Sequence, residues 1–373
     1  MNIAIVCYPT YGGSGVLATE LGKALAEKGH NIHFITYQQP VRLSGGFHAN
    51  IFYHEVRVPT YPLFDFPPYE TALASTMVDV VNNNKIDLLH VHYAIPHAAA
   101  AYMAKQILAK QHKKIPVITT LHGTDITLVG RDKTYSPVVT FSMEESDILT
   151  AVSNNLREET YRNFSIKKPI EVIYNFVDIN RFHKRPVNVF KQLIAPQDEK
   201  IIVHASNFRK VKRVDDVVKI FLLINKQIPA KLLLIGDGPE RPFIESMTRD
   251  CESCDNIKFL GKQEQMEDIL PIADLFLLPS EYESFGLAAL EAMAAEVPVI
   301  SSNAGGLPEI NINGFCGYMS EVGNVEEMAE NALKILIDEK NHIAFRNNAL
   351  KQAKKFSIEN IVPQYEKLYE KLI

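Results

Sequence analysis

LLPSEYESFGLAALEAMAAEVP, residues 277–298, holds the change of period on which the fold turns. Upstream, Ala273 to Leu278 is an apolar run interrupted only at Asp274, and it reads as a short buried parallel strand. Ser280-Glu281-Tyr282-Glu283 is a polar loop. Ser284 stands where a helix N-cap belongs, and Phe285 to Ala295 is rich in helix formers. The order strand, loop, helix places a helix N-terminus at Ser284 to Leu287. Free backbone N–H groups and the positive end of the dipole attract an anion there. Gly286 lets a ligand approach the backbone closely.

Two carboxylates flank that position. Glu283 stands just before the helix and Glu291 two turns in, with seven residues between them. At 1.5 Å of rise per residue they are about 10 Å apart along the axis, too far to share one reacting atom. A ligand touching both is extended, with its anion near the helix start, as a nucleotide sugar is. On their own, two such glutamates are more simply solvated surface charges. The longer phrase changes that. Glu283 to Leu287, Leu290 to Met293, Val297-Pro298-Val299-Ile300 and Gly305-Gly306-Leu307-Pro308-Glu309 resemble the E-x7-E signature of retaining GT-B glycosyltransferases, family four. The resemblance implies an α/β, GT-B fold: two Rossmann-like, doubly wound parallel-sheet domains with the active site in the cleft between them. It also implies transfer of a sugar from a nucleoside diphosphate donor.

Composition agrees. At 373 residues, two domains are the natural expectation, and 46% hydrophobic residues suit a globular α/β chain. A net charge of −5 with mixed signs argues against nucleic acid or an anionic membrane as partner. No apolar run reaches the roughly 18 residues of a membrane span, and MNIAIVCYP reads as a first strand rather than a signal peptide. Four cysteines make no disulfide framework. A reduced, cytoplasmic protein is expected, and a homo-oligomer is compatible with this composition.

In the N-terminal half, Asn2 to Cys7 reads as a strand, YPTYGGSG (residues 8–15) as a loop, Val16 to Lys28 as a helix ended by Gly29, and Asn31 to Thr36 as a strand. Gly13, Gly15 and Ala18 satisfy G-x-G-x-x-A. A dinucleotide site would want an acid at the end of the second strand, where Thr36-Tyr37-Gln38 stands. A tight turn remains open. So does a loop whose Gly13, Ser14 and Gly15 amides face a diphosphate or an acceptor. Strands over Ile86 to His92 and Pro116 to Leu121 exit at Tyr93 and at His122-Gly123-Thr124-Asp125, and ligands gather at such carboxyl ends. His90, His92, His97 and His122 could be read as a metal cluster, but no carboxylate or cysteine follows at ligand spacing. Ile148 to Ser153 is a further strand, with Asn154 beyond it. The boundary falls near residue 168, giving domains over 1–168 plus 357–373 and 169–356.

In the second half, Lys200 to Ala205 starts a new sheet and exits at SNFRKVKR, residues 206–213, four cations in five residues. This is either a solvated basic loop or a clamp on a diphosphate. Gly236-Asp237-Gly238-Pro239-Glu240 and Gly261-Lys262 follow later strands. Cys251-Glu252-Ser253-Cys254 is best read as a surface turn, since one C-x-x-C without a second pair is a weak metal or redox signal. Ile361, Tyr365, Leu368 and Leu372 give the last helix an apolar face.

The resemblance supplies roles. It implies Glu283 on the sugar hydroxyls, Glu291 on the ribose, His122 on the donor sugar, and Lys212 with Arg209 on the diphosphate. Asn207 occupies the position of the family's arginine, which is a departure. Gly15, Ser284, Phe285, Gly286, Leu287, Asn207, Gly236 and Lys262 complete the expected donor site. No metal or other cofactor is implied, because side-chain cations and the helix dipole take that part. LHVHYAIPHA, TTLHGTDIT, SNFRKVKRV and FLGKQ resemble a narrower branch serving bacillithiol biosynthesis. That branch moves N-acetylglucosamine from UDP-N-acetylglucosamine to L-malate. For a small dianion, Ser14, Tyr93, Thr119, Thr120 and Asn154 are the candidate acceptor-binding donors. A family-four transferase with another acceptor, and a non-catalytic nucleotide-sugar-binding protein, are the alternatives.

Overall fold

A computed structural model gives the structure, which describes residues 1–10, 12–43, 48–58, 62, 65–130, 132–184, 189–249 and 253–373. The chain divides into two units, Met1–Asn175 with Glu359–Ile373, and Phe176–Ile358.

Strands of the first unit are β1 (Asn2–Val6), β2 (Asn31–Thr36), β3 (Ile51–Glu55), β4 (Leu88–His92), β5 (Val117–Leu121), β6 (Ile148–Ala151) and β7 (Ile170–Val172). They form one parallel sheet in the order β3-β2-β1-β4-β5-β6-β7. The central strands are buried end to end because helices cover both faces. On one face Ala4, Val6, Leu89 and Val91 pack with Ala100, Ala104 and Leu108 of helix Ala99–Lys110. Strand order reverses between β1 and β4, which opens a crevice at their carboxyl ends. The last helix, Ile358–Glu370, returns to this unit as its apolar face requires: Tyr365 and Tyr369 are buried, and Tyr369 Oη lies 2.8 Å from His90 Nδ1.

The second unit contains β8 (Lys200–Ser206), β9 (Ala230–Gly236), β10 (Ile257–Gly261), β11 (Leu275–Leu278), β12 (Val299–Ser302) and β13 (Gly317–Ser320), parallel in the order β10-β9-β8-β11-β12-β13. Ile202, Leu232, Leu275 and Ile300 meet Val217, Phe221, Met328 and Ile335 in its core. Here the order reverses between β8 and β11.

Three expectations need correction. The boundary lies at 175/176 and 358/359 rather than 168/169 and 356/357, because Ile170–Val172 pairs with β6 as the last strand of the first sheet. The helix after β11 spans Leu287–Ala294 and its N-cap is Gly286, not Ser284. Gly286 has φ 98°, a left-handed conformation that serine would strain to adopt, so the helix starts two residues later than the sequence suggests. Gly13 to Gly15 are not loop: helix Gly13–Glu27 begins there. Between β4 and β5, helix Ala99–Lys110 follows an irregular turn over Ala94–Ala98. Cys251 lies outside the described residues.

Candidate active site

In the second unit the site is built on the reversal between β8 and β11. His204 is buried in β8. Its Nδ1 donates to the Leu277 carbonyl at 2.8 Å, and its Nε2 lies 2.8 Å from Ser206 Oγ. Burial pushes its pKa down to about 4, so it is a neutral pin between the two central strands. Beyond β8, the loop passes Phe208 at φ 29°, makes a tight turn over Lys210–Lys212, and enters helix Val214–Asn225 through Arg213 at φ 49°. That path turns Lys212 toward β11. Its Nζ donates to Glu283 Oε1 at 2.6 Å, and Ser280 Oγ donates to the same oxygen at 2.9 Å. The two loops are also tied by the Glu281 N–H to the Val211 carbonyl at 2.8 Å.

Glycines press the Glu283 loop into place. The Gly306 N–H reaches the Glu283 carbonyl at 2.7 Å. A Cβ on Gly305, itself at φ 63°, would stand 2.0 Å from that carbonyl oxygen. Gly236 has φ 123°, and a Cβ there would stand 1.8 Å from the Ser206 carbonyl oxygen, so it holds the β9 exit against β8. Phe285 is buried with its ring edge-on to Phe356 and offers a ligand only main chain. Ser284 and Leu287 are half-buried beside it, and the first amides of helix Leu287–Ala294 have no intrahelical acceptor. Glu291 lies within that helix, buried at 8% exposure. Asn207, Arg209 and Lys262 are exposed at the exits of β8 and β10. Among the described residues Arg209 makes no ion pair, so Lys212 alone of the basic run is joined to Glu283.

In the first unit, Tyr93 leaves β4 at φ 87° and its Oη donates to Ser14 Oγ at 2.6 Å, across the β1/β4 crevice. The Tyr93 ring lies 5.3 Å from that of Tyr8 and 5.1 Å from that of His122. Gly15 is buried in the first turn of helix Gly13–Glu27. A Cβ there would stand 2.3 Å from the Tyr8 carbonyl oxygen, so it is a close-approach glycine. Asn154 opens helix Asn154–Asn163, and its Nδ2 donates to Tyr174 Oη at 2.6 Å.

Thr119 and Thr120 are not acceptor ligands. Both are wholly buried in β5. Thr119 Oγ1 lies 2.7 Å from Ser146 Oγ, and Thr120 Oγ1 lies 2.7 Å from both Thr150 Oγ1 and His90 Nε2. Both hydroxyls are thereby satisfied by neighbouring side chains in the interior.

Two residues to which the sequence reading gave no positioning role organise this crevice. Asp125 accepts from the N–H groups of Gly123 at 3.0 Å and His122 at 3.4 Å through Oδ1, and from Ala94 at 3.0 Å through Oδ2. It thereby joins the β5 exit to the β4 exit. Burial raises its pKa to about 6, and the three N–H groups oppose that rise. The sequence carried no local signal for this, because an Asx turn bonds the amide two residues on, whereas Asp125 reaches back to Gly123 and His122. His92 is the other: its Nδ1 is 2.8 Å from His122 Nε2. Burial pushes His90 and His122 to about 3 and His97 to about 4, and holds His92 well below the ordinary value. Among the described residues no three His, Cys, Asp or Glu groups are disposed to hold a metal ion.

The β1/β4 crevice has a helix start beside it, and the β8/β11 crevice a lysine–glutamate pair and a second helix start that suits an anion. Comparison with known proteins names the family. Residues 11–181 match the model for Glycosyltransferase Family 4, and residues 188–352 match that for Glycosyl transferases group 1. The chain belongs to these glycosyltransferases, and it is a nucleotide-sugar-dependent hexosyltransferase of the GT-B fold. It is 47% identical to N-acetyl-alpha-D-glucosaminyl L-malate synthase of Bacillus anthracis over 371 residues, covering 99% of this chain and 96% of that one. Among solved structures, sucrose-phosphate synthase from Thermosynechococcus elongatus superposes with a TM-score of 0.82 at 21% identity, over 100% of this chain and 99% of that one. Anabaena HepE in complex with UDP-glucose gives 0.82 at 19%, over 100% of each chain. Both show the fold. No helix among the described residues is long and apolar enough to cross a membrane.

Proposed function

We propose that this chain transfers N-acetylglucosamine from UDP-N-acetylglucosamine to the hydroxyl of L-malate, with retention at the anomeric carbon, without a metal, and in the cytoplasm. The observation that carries this is the identity of 47% with the Bacillus anthracis synthase, sustained over 99% of the chain. The charged second-unit crevice takes the donor. Lys212 and the amides at the start of helix Leu287–Ala294 hold the diphosphate, and Glu291 holds the ribose hydroxyls. An arriving diphosphate draws Lys212 off Glu283, which leaves that carboxylate to accept from sugar hydroxyls. As the anomeric C–O bond to UDP breaks, negative charge builds on the departing phosphate, and Lys212 and the helix start stabilise it. The malate oxygen bonds to the anomeric carbon on the same face and its proton passes to a donor phosphate oxygen. Ser14, Tyr93 and Asn154 offer hydroxyl and amide donors suited to the malate carboxylates.

The test is product mass. The protein is incubated with both substrates and excess chelator. A glycosyl malate adduct with equimolar UDP is the expected result. UDP release independent of malate would move the acceptor elsewhere, and no UDP release would overturn the donor assignment.

A further inference from the structure

His92 is wholly buried in β4, with its ring stacked on those of His90 at 4.5 Å and His122 at 5.1 Å. One proton lies between His92 Nδ1 and His122 Nε2, which are 2.8 Å apart. Both rings are neutral at physiological pH because burial disfavours the imidazolium, so each carries a single proton. Two arrangements satisfy the contact. If His122 Nε2–H donates, the proton of His92 sits on its own Nε2, a sealed nitrogen with no partner among the described residues. If His92 Nδ1–H donates, that sealed nitrogen is a bare lone pair. Orphaned buried N–H groups are rarer in folded proteins than under-used acceptors. The neighbouring His97 gives an internal precedent. Its Nδ1 faces the His92 carbonyl, which can only accept, so Nδ1 carries the proton and the sealed Nε2 of His97 is bare.

We propose that His92 is a positioning residue: its Nδ1–H donates to His122 Nε2 and fixes His122 as the Nδ1–H tautomer. The other nitrogen of a hydrogen-bonded imidazole takes its character from that bond. Nδ1 of His122 has no partner among the described residues and, unlike Nε2 of His92 and His97, is not sealed from solvent. His122 therefore meets a ligand as a hydrogen-bond donor only. A sugar hydroxyl facing it accepts from the ring and gives its own proton to another group. Asp125 fixes the loop that carries the ring, through its bonds to the main chain of His122, Gly123 and Ala94. The contact of His122 with a donor sugar rests on the reading under Proposed function; the tautomer does not.

The test is long-range proton–nitrogen NMR of the whole protein labelled with 15N-histidine, His122 being assigned by its loss in His122→Phe, with kinetics alongside. In the wild type, His122 is expected to show a protonated Nδ1 and a bare Nε2. His92→Leu removes the donor; the signature is lost and kcat falls about tenfold, the value of one hydrogen bond. His92→Asn puts an amide N–H at the same distance from the main chain as Nδ1, and both signature and kcat return. A protonated Nε2 on His122 in the wild type overturns the proposal without any variant having to fold. A protonated Nδ1 that persists in His92→Leu, or equal losses in the Leu and Asn variants, overturns the role of His92. Full activity in His122→Phe, with the wild-type signature at Nδ1, would remove the sugar contact and leave the tautomer standing.

Discussion

The two strand-order reversals make the same kind of crevice and fill it with opposite chemistry. At β1/β4 the bridge is neutral, Tyr93 to Ser14 at 2.6 Å, backed by four neutral imidazoles. At β8/β11 the bridge is an ion pair, Lys212 to Glu283 at 2.6 Å, with side chains 19% and 12% exposed. Topology decides where a ligand can sit, and residue chemistry decides which ligand. The charged crevice can exchange its internal partner for a diphosphate. The neutral one orients hydroxyl and imidazole dipoles through a buried network, which suits recognition by direction rather than by charge.

The contrast can be broken or sharpened by mutation. Lys212→Ala is expected to lower kcat about a hundredfold to a thousandfold, because it removes the cation facing the departing phosphate; steady-state kinetics at saturating substrates checks this. Gly305→Ala forces a Cβ against the Glu283 carbonyl and should cost about 1–3 kcal/mol in urea unfolding, with activity falling in step. Tyr93→Phe removes one neutral hydrogen bond, and the acceptor KM should rise about tenfold with kcat little changed.

Acid should separate the units. His90, His92, His97 and His122 have folded pKa values below 6.5, so the native state binds fewer protons than the unfolded chain. Their stabilisation is complete above about 6.5 and is lost as pH falls toward 4 and 3. Asp125 has the opposite sign: raised from 3.8 to about 6, it adds stability as pH falls through that window and offsets part of the loss. Within the second unit, His204 and His342 are the histidines with lowered values. Hydrogen exchange corrected for intrinsic rate should show the first unit loosening before the second between pH 6.5 and 4. The smallest effect belongs to Thr119→Val, which should leave the acceptor KM unmoved and cost about 1 kcal/mol of stability.

The charged crevice was legible in the sequence because its charges flank glycines and a helix start within two short phrases, residues 206–213 and 277–298. The doubly wound sheets were legible from apolar runs alternating with helical stretches. The neutral crevice was harder to read. Thr119 and Thr120 look like ligand donors at a strand exit, and only the fold shows that their partners, Ser146 just before β6 and Thr150 on β6, are 27 and 30 residues away. Asp125 and His92 act through main chain and through another ring, which residue type alone does not reveal. The Ser284 cap failed because a left-handed glycine two residues later starts the helix instead.

The division of labour between the crevices is tested most directly by calorimetric titration of UDP into the wild type, Lys212→Ala and Tyr93→Phe. The account predicts a raised dissociation constant in Lys212→Ala and an unchanged one in Tyr93→Phe. Equal weakening in both variants, or none in Lys212→Ala, would contradict it.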